Sequence, residues 1–135
     1  MRLSSPTVDQ LAAASLYSFT KAYFDEMREE YRARRDTMIR GLRKIRGVIC
    51  DVPQGAFYVM AALPVDDAEK FQEWLLTEFD DHGDTLMFAA GGPFYATPGK
   101  GINEVRMAYV LEKEKLERAM EVLGIAIEQY NSREK

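Results

Sequence analysis

Cysteine and histidine are almost missing from this sequence: Cys50 and His82 are the only ones in 135 residues. One cysteine cannot close an internal disulfide, and the pair cannot supply a Cys/His zinc framework. Any serine-histidine-acid arrangement would rest on His82 alone, and no general acid-base pair emerges beside it. Long apolar runs are lacking too, and none reaches the roughly 20 residues that a membrane span needs. Met1 to Gln10 holds Ser4, Ser5, Pro6 and Asp9 where a secretory signal would carry an apolar stretch. An excess of positive charge is also missing. Lys+Arg number 18 against 22 Asp+Glu, a net charge of −4 that excludes a basic nucleic-acid footprint over the whole chain. The expectation is a cytoplasmic protein with neither a nucleic-acid nor a membrane partner and no metal site.

What is present is the composition of a folded domain. Hydrophobic residues make up 47% and charged residues 30%, which suits a single domain with a core and not a disordered chain. Ser5-Pro6 reads as an N-cap with proline at the first helical position, and Thr7-x-x-Gln10 as a capping box one register later. From there Val8, Leu11, Ala12, Leu16, Phe19 and Tyr23 recur at helical spacing, and Phe24, Met27, Tyr31, Met38, Leu42 and Ile45 carry the stripe to Gly47. A straight helix of that length would span roughly 60 Å, so a break is expected near Glu26 to Arg35. The stripe Leu11, Leu16, Phe19 and Tyr23 has too little chain around it to be covered, which predicts an exposed apolar patch and self-association.

Beyond Gly47 the periodicity shortens. Val48–Val52 and Ala56–Met60 read as two strands about a turn at Pro53-Gln54-Gly55. Asp66 and Asp67 mark a helix start, and Phe71, Trp74, Leu75 and Phe79 predict a helix ending near Asp81-His82-Gly83. Thr85–Ala89 and Glu104–Tyr109 read as strands around a glycine-rich loop. A last helix carries Leu116, Ala119, Met120, Leu123, Ile127 and Tyr130 on one face, with Asn131–Lys135 expected to fray. The order predicts an α/β two-layer domain, a sheet of three or four strands packed by helices and preceded by a long N-terminal helix.

Most chemical motifs dissolve on inspection. Gly91-Gly92-Pro93 and Pro98-Gly99-Lys100-Gly101 fail the phosphate-loop pattern, since Phe94 replaces a required glycine and Gly101 follows the lysine. Ser18-x-x-Lys21 has no companion motif. Asp80, Asp81, His82 and Asp84 describe a turn around Gly83, and Cys50 a small side chain in a strand. The arginines from Arg28 to Arg46 alternate with Glu26, Glu29, Glu30 and Asp36 as a solvated helix face. Phe57 and Tyr58 read as core beside the Pro53-Gln54-Gly55 turn. Arg106 stands apart: it sits in mid-strand directly after the glycine-rich loop, where its planar fork suits a carboxylate.

Three segments in order, Pro53-Gln54-Gly55-Ala56-Phe57-Tyr58, Phe94-Tyr95-Ala96-Thr97-Pro98-Gly99-Lys100-Gly101 and Asn103-Glu104-Val105-Arg106-Met107-Ala108-Tyr109, resemble the C-terminal part of class I/II fold-type I aminotransferases. Arg2 to Gln10 resembles the entry to that family's inter-domain helix. The resemblance implies a linking-helix region at 1–31 and a small domain at 32–135, with the large cofactor domain absent from the chain. It implies pyridoxal 5'-phosphate as cofactor of the parent enzyme, amino acid and 2-oxo acid substrates, and a homodimer. Arg106 would be substrate-binding, gripping the α-carboxylate. No catalytic or cofactor-binding residue is expected here, because none of Lys21, Lys44, Lys70, Lys100, Lys113, Lys115 and Lys135 stands in the context of the family's catalytic lysine. No cofactor is therefore expected on this chain alone, and the chain alone should be inactive. Phe94-Tyr95 departs from the Phe-Gly step common in the family. The competing expectation is a standalone α/β interaction or small-ligand-binding module with Arg106 as a surface charge.

Overall fold

The computed structural model describes residues 6–133, and the chain divides into two units, 1–30 and 31–135. The first holds α1 (Thr7–Ala14), a 3-10 turn at Ser15–Ser18 and the start of α2 (Lys21–Leu42). Pro6 occupies the N-cap position of α1, and Gln10 N donates to its carbonyl at 3.1 Å. Thr7 already has helical backbone, so it is not the cap; the expected cap at Ser5 and the family-like Arg2–Ser5 lie outside the described residues.

The break predicted at Glu26–Arg35 is not found, because α2 runs unbroken through it. The interruption comes earlier, where hydroxyls compete for the backbone. Ser15 Oγ donates to Ala12 O at 2.7 Å and Ser18 Oγ to Ser15 O at 2.6 Å, and Phe19 is extended. Thr20 Oγ1 then accepts from Tyr23 N at 3.4 Å as the next helix starts. The charged stretch that follows consists mostly of strong helix formers, and Asp25 pairs with both Lys21 and Arg28, the latter at 3.0 Å. Charge there supports the helix. Leu11, Leu16, Phe19 and Tyr23 are exposed by 71%, 56%, 44% and 46%, the apolar patch expected from their spacing.

The second unit is a two-layer α/β domain. Strands β1 (Ile49–Cys50), β2 (Tyr58–Ala62), β3 (Ala89–Ala90) and β4 (Glu104–Ala108) form an antiparallel sheet in the order β1-β2-β4-β3. Val59, Ala61, Val105 and Met107 point into a core shared with Met38, Ile39 and Leu42 of α2, Phe71 and Leu75 of α3 (Ala68–Thr77), and Leu116, Leu123 and Ile127 of α4 (Lys113–Ser132). The alternate residues, Tyr58, Met60, Ala62, Glu104, Arg106 and Ala108, lie on the other face and none is buried.

Predicted strand boundaries shift in two places where a side chain takes a backbone group, and the strand expected at Val48–Val52 is confined to Ile49–Cys50. The strand expected at Ala56–Met60 begins at Tyr58: Ala56 adopts φ 60°, and the Tyr109 hydroxyl donates to Ala56 O at 3.0 Å. The strand expected at Thr85–Ala89 shrinks to Ala89–Ala90. Gln72 of α3 accepts from Phe88 N at 2.8 Å, and Thr85 Oγ1 donates to Leu75 O at 2.6 Å, so the segment is tied to a helix and not to the sheet. Helix α3 is capped by Asp67, which accepts from Glu69 N at 2.8 Å, and it ends at Thr77, short of Asp81.

The end of α4 does not fray as expected. Asn131 Nδ2 donates to Pro64 O at 2.9 Å, and the Arg133 guanidinium lies 4.9 Å from the Trp74 ring; Glu134 and Lys135 are outside the described residues. The Tyr130 hydroxyl donates to Asp66 at 2.9 Å, and this bond, ahead of Lys70, holds the Asp66 carboxyl below its ordinary value. A depressed carboxyl contributes stability above its unfolded value, near 3.9, and that contribution is lost as pH falls through the lower folded value. Tyr130→Phe should therefore cost at most about 1 kcal/mol at pH 7, since Asp66 is largely solvated. The gap between variant and wild type should narrow below about pH 4 in urea unfolding followed by Trp74 fluorescence. A gap constant with pH would show that the hydroxyl is not coupled to Asp66.

Candidate carboxylate-binding site

Arg106 is presented by the middle of the sheet. Its Cα stands opposite Met60 of β2 on one side and Ala89 of β3 on the other. Strand alternation turns Val105 and Met107 inward, so Arg106 projects from the uncovered face. The guanidinium carbon lies 4.8 Å from the centre of the Phe94 ring and 5.3 Å from that of Tyr58. Two aromatic faces thus hold a cation whose hydrogen-bonding edges make no hydrogen bond or ion pair among the described residues.

Beside it opens a hollow of about 370 Å³, walled mainly by Phe57, Tyr58, Leu86, Phe88 and Met120, with Arg106 as the only charged residue among the described ones lining it. A guanidinium fork at the rim of an apolar hollow has the geometry to pair with a carboxylate through two parallel hydrogen bonds. Phe57 and Tyr58, expected in the core, are 53% and 39% exposed: Phe57 precedes the strand, and the register turns Tyr58 to the open face. Burial raises the Tyr109 phenol above its ordinary value, so the hydroxyl stays protonated as the donor that fixes the turn before β2.

The loop between β3 and β4 completes the surroundings. Residues Gly92–Phe94 form a 3-10 turn that brings the Phe94 ring to Arg106. The next residue, Tyr95, donates its hydroxyl to Glu104 Oε2 at 2.6 Å, a bond that raises the phenol above its ordinary value. Gly101, at φ 70°, is obligatory: a Cβ there would fall 2.4 Å from Tyr95 Cε2. The aromatic pair around Arg106 and the Tyr95–Glu104 bond were missed from sequence. The only signal was the Phe94-Tyr95 step itself.

The other singled-out residues are engaged in structure. Ser18 bonds Ser15 O, and Lys21 pairs with Asp25. Asp81 and Asp84 are gripped by Arg118 of α4 at 2.8 and 2.9 Å, which makes that turn an anchor, and no metal-binding group occurs among the described residues. Burial raises the Cys50 thiol, so the reactive thiolate is disfavoured. Every described lysine is exposed. Among the described residues no helix is long and apolar enough to cross a membrane.

The fold is thus a two-layer α/β domain that displays from its open sheet face an arginine with no ion pair among the described residues. Residues 1–123 match the family Aminotransferase class I and II, and the chain belongs to it. It is 33% identical over 106 residues to the aspartate aminotransferase of Pyrococcus horikoshii, covering 77% of this chain and 25% of that one. The LL-diaminopimelate aminotransferase of Syntrophobacter fumaroxidans is 34% identical over 97 residues, 71% of this chain and 23% of its own. The alanine aminotransferase of Pyrococcus furiosus superposes with a TM-score of 0.75 at 26% identity, over 95% of this chain and 31% of that one. The α-aminoadipate aminotransferase of Thermus thermophilus, complexed with N-(5'-phosphopyridoxyl)-L-leucine, gives 0.70 at 26% identity, over 93% and 30%. The chain thus spans about a quarter of the length of the relatives it matches.

Proposed function

We propose that this chain is the small domain of a pyridoxal-phosphate-dependent aminotransferase and carries the arginine that binds the substrate α-carboxylate. Residues 1–31 act as the linking helix region and 32–135 as the small domain. The observation that carries this reading is Arg106, held between Phe94 and Tyr58 at the rim of an apolar hollow with no carboxylate of its own. The parent reaction moves an amino group between an amino acid and a 2-oxo acid, in a cytoplasmic homodimer.

The described residues do not fit the cofactor, because a covalent anchor needs a lysine in a protected site and every described lysine is solvated. The chain's own contribution is to bind and orient. Arg106 fixes one end of the substrate, and the Phe94 and Tyr58 rings orient its guanidinium. The exposed apolar residues of 1–30 are the face that a large domain covers. Incubated with added cofactor, an amino acid and a 2-oxo acid, the isolated chain should show no transamination. Turnover by the isolated chain would overturn this division of labour.

A further inference from the structure

Glu104 and Arg106 are two residues apart on the same face of β4, roughly 7 Å along the strand. Opposite charges at that spacing on long, flexible side chains are within reach of each other. A guanidinium paired inside the molecule would have to surrender that partner before taking a ligand's carboxylate. Here the pair is not made. Glu104 Oε2 instead accepts from the Tyr95 hydroxyl at 2.6 Å, while the preceding residue, Phe94, lays its ring against Arg106 at 4.8 Å. Two consecutive loop residues therefore take one strand side chain each.

The loop is shaped for that placement. Gly91 N donates to Glu104 O at 2.6 Å, and a Cβ on Gly91 would fall 2.8 Å from that oxygen, so only glycine lets the loop lie this close to the strand. Gly101 leaves the space that the Tyr95 ring fills. We propose that Tyr95 is a positioning residue that holds the Glu104 carboxylate off Arg106 and so keeps the guanidinium open to the substrate carboxylate. This rests on Arg106 being the carboxylate receptor. Tyr95 needs no contact with substrate to act, and its hydroxyl is the part that matters.

The test uses the 135-residue chain and the NMR signal of the Arg106 Nε–Hε group, at fixed pH and ionic strength, with and without succinate. In ligand-free Tyr95→Phe the signal should move to the position of an ion-paired guanidinium, and the apparent Kd for succinate should rise at least about threefold, a change of roughly 0.65 kcal/mol. In the double variant Tyr95→Phe with Glu104→Gln both should return to wild-type values. A Tyr95→Phe signal and Kd equal to wild type would overturn the proposal. So would a loss that persists in the double variant, because the tyrosine would then act only through loop packing. Failure of both wild type and Glu104→Gln to bind succinate would overturn the carboxylate reading itself. The ligand-free spectra still decide, independently, whether Tyr95 keeps Glu104 from Arg106.

Discussion

In an enzyme carrying this domain, Arg106→Ala should lower kcat/KM by about 10- to 150-fold, the equivalent of a charge-assisted pair worth about 1.5 to 3 kcal/mol. The loss should be specific. No described lysine or arginine replaces the fork at the rim of the hollow, and the walls that remain are apolar. Arg106→Lys should recover little, since an ammonium cannot bond both carboxylate oxygens in one plane as the guanidinium fork does. Cofactor binding, read by its visible absorbance, should survive in both variants. Steady-state kinetics on amino acid and 2-oxo acid would check this, and Arg106→Lys kinetics equal to wild type would remove Arg106 from the substrate site.

The largest effect on stability is expected at Phe71. It is fully buried, with ring centres of Trp74, Phe88 and Tyr130 at 6.1, 5.9 and 5.0 Å. Its ring joins α3 to the segment before β3 and to the end of α4. Phe71→Ala should cost about 3 to 5 kcal/mol, the transfer loss plus an unfilled cavity. That is a large fraction of a typical domain's total stability of about 5 to 15 kcal/mol. Urea unfolding with Trp74 as reporter measures it, and Phe71→Leu should retain most of the stability. A cost below about 1 kcal/mol would mean that the aromatic cluster is not the core's centre.

Periodicity made the element order legible, because the residues that face the core recur at helical and strand spacing: Met38 and Leu42, Phe71 and Leu75, Leu116 and Leu123, Val105 and Met107. The boundaries were not, wherever a side chain captured a backbone group from a distance. Gln72 takes Phe88 N and Tyr109 takes Ala56 O, contacts 16 and 53 residues apart that no local pattern announces. The helix break was misplaced for a different reason. Length alone called for a break, placed at Glu26–Arg35, whereas serine hydroxyls folding back on the backbone accompany it at Ser15 and Ser18. At the site, Arg106 stood out in the sequence because a mid-strand arginine follows a glycine-rich loop. Tyr58 did not, because an aromatic at a strand entry reads as core until the register is known, and the register places it on the open face.

The two outer strands, β1 and β3, have two residues each. Pro53 lies just beyond β1 and Gly91-Gly92-Pro93 just beyond β3, so neither border offers a long ladder of unpaired amides and carbonyls to another chain. A sheet with one bare face and such clipped borders can meet another molecule broadside but has no template for strand addition. Its association should therefore remain reversible and saturable, and amyloid-like growth along the sheet is disfavoured.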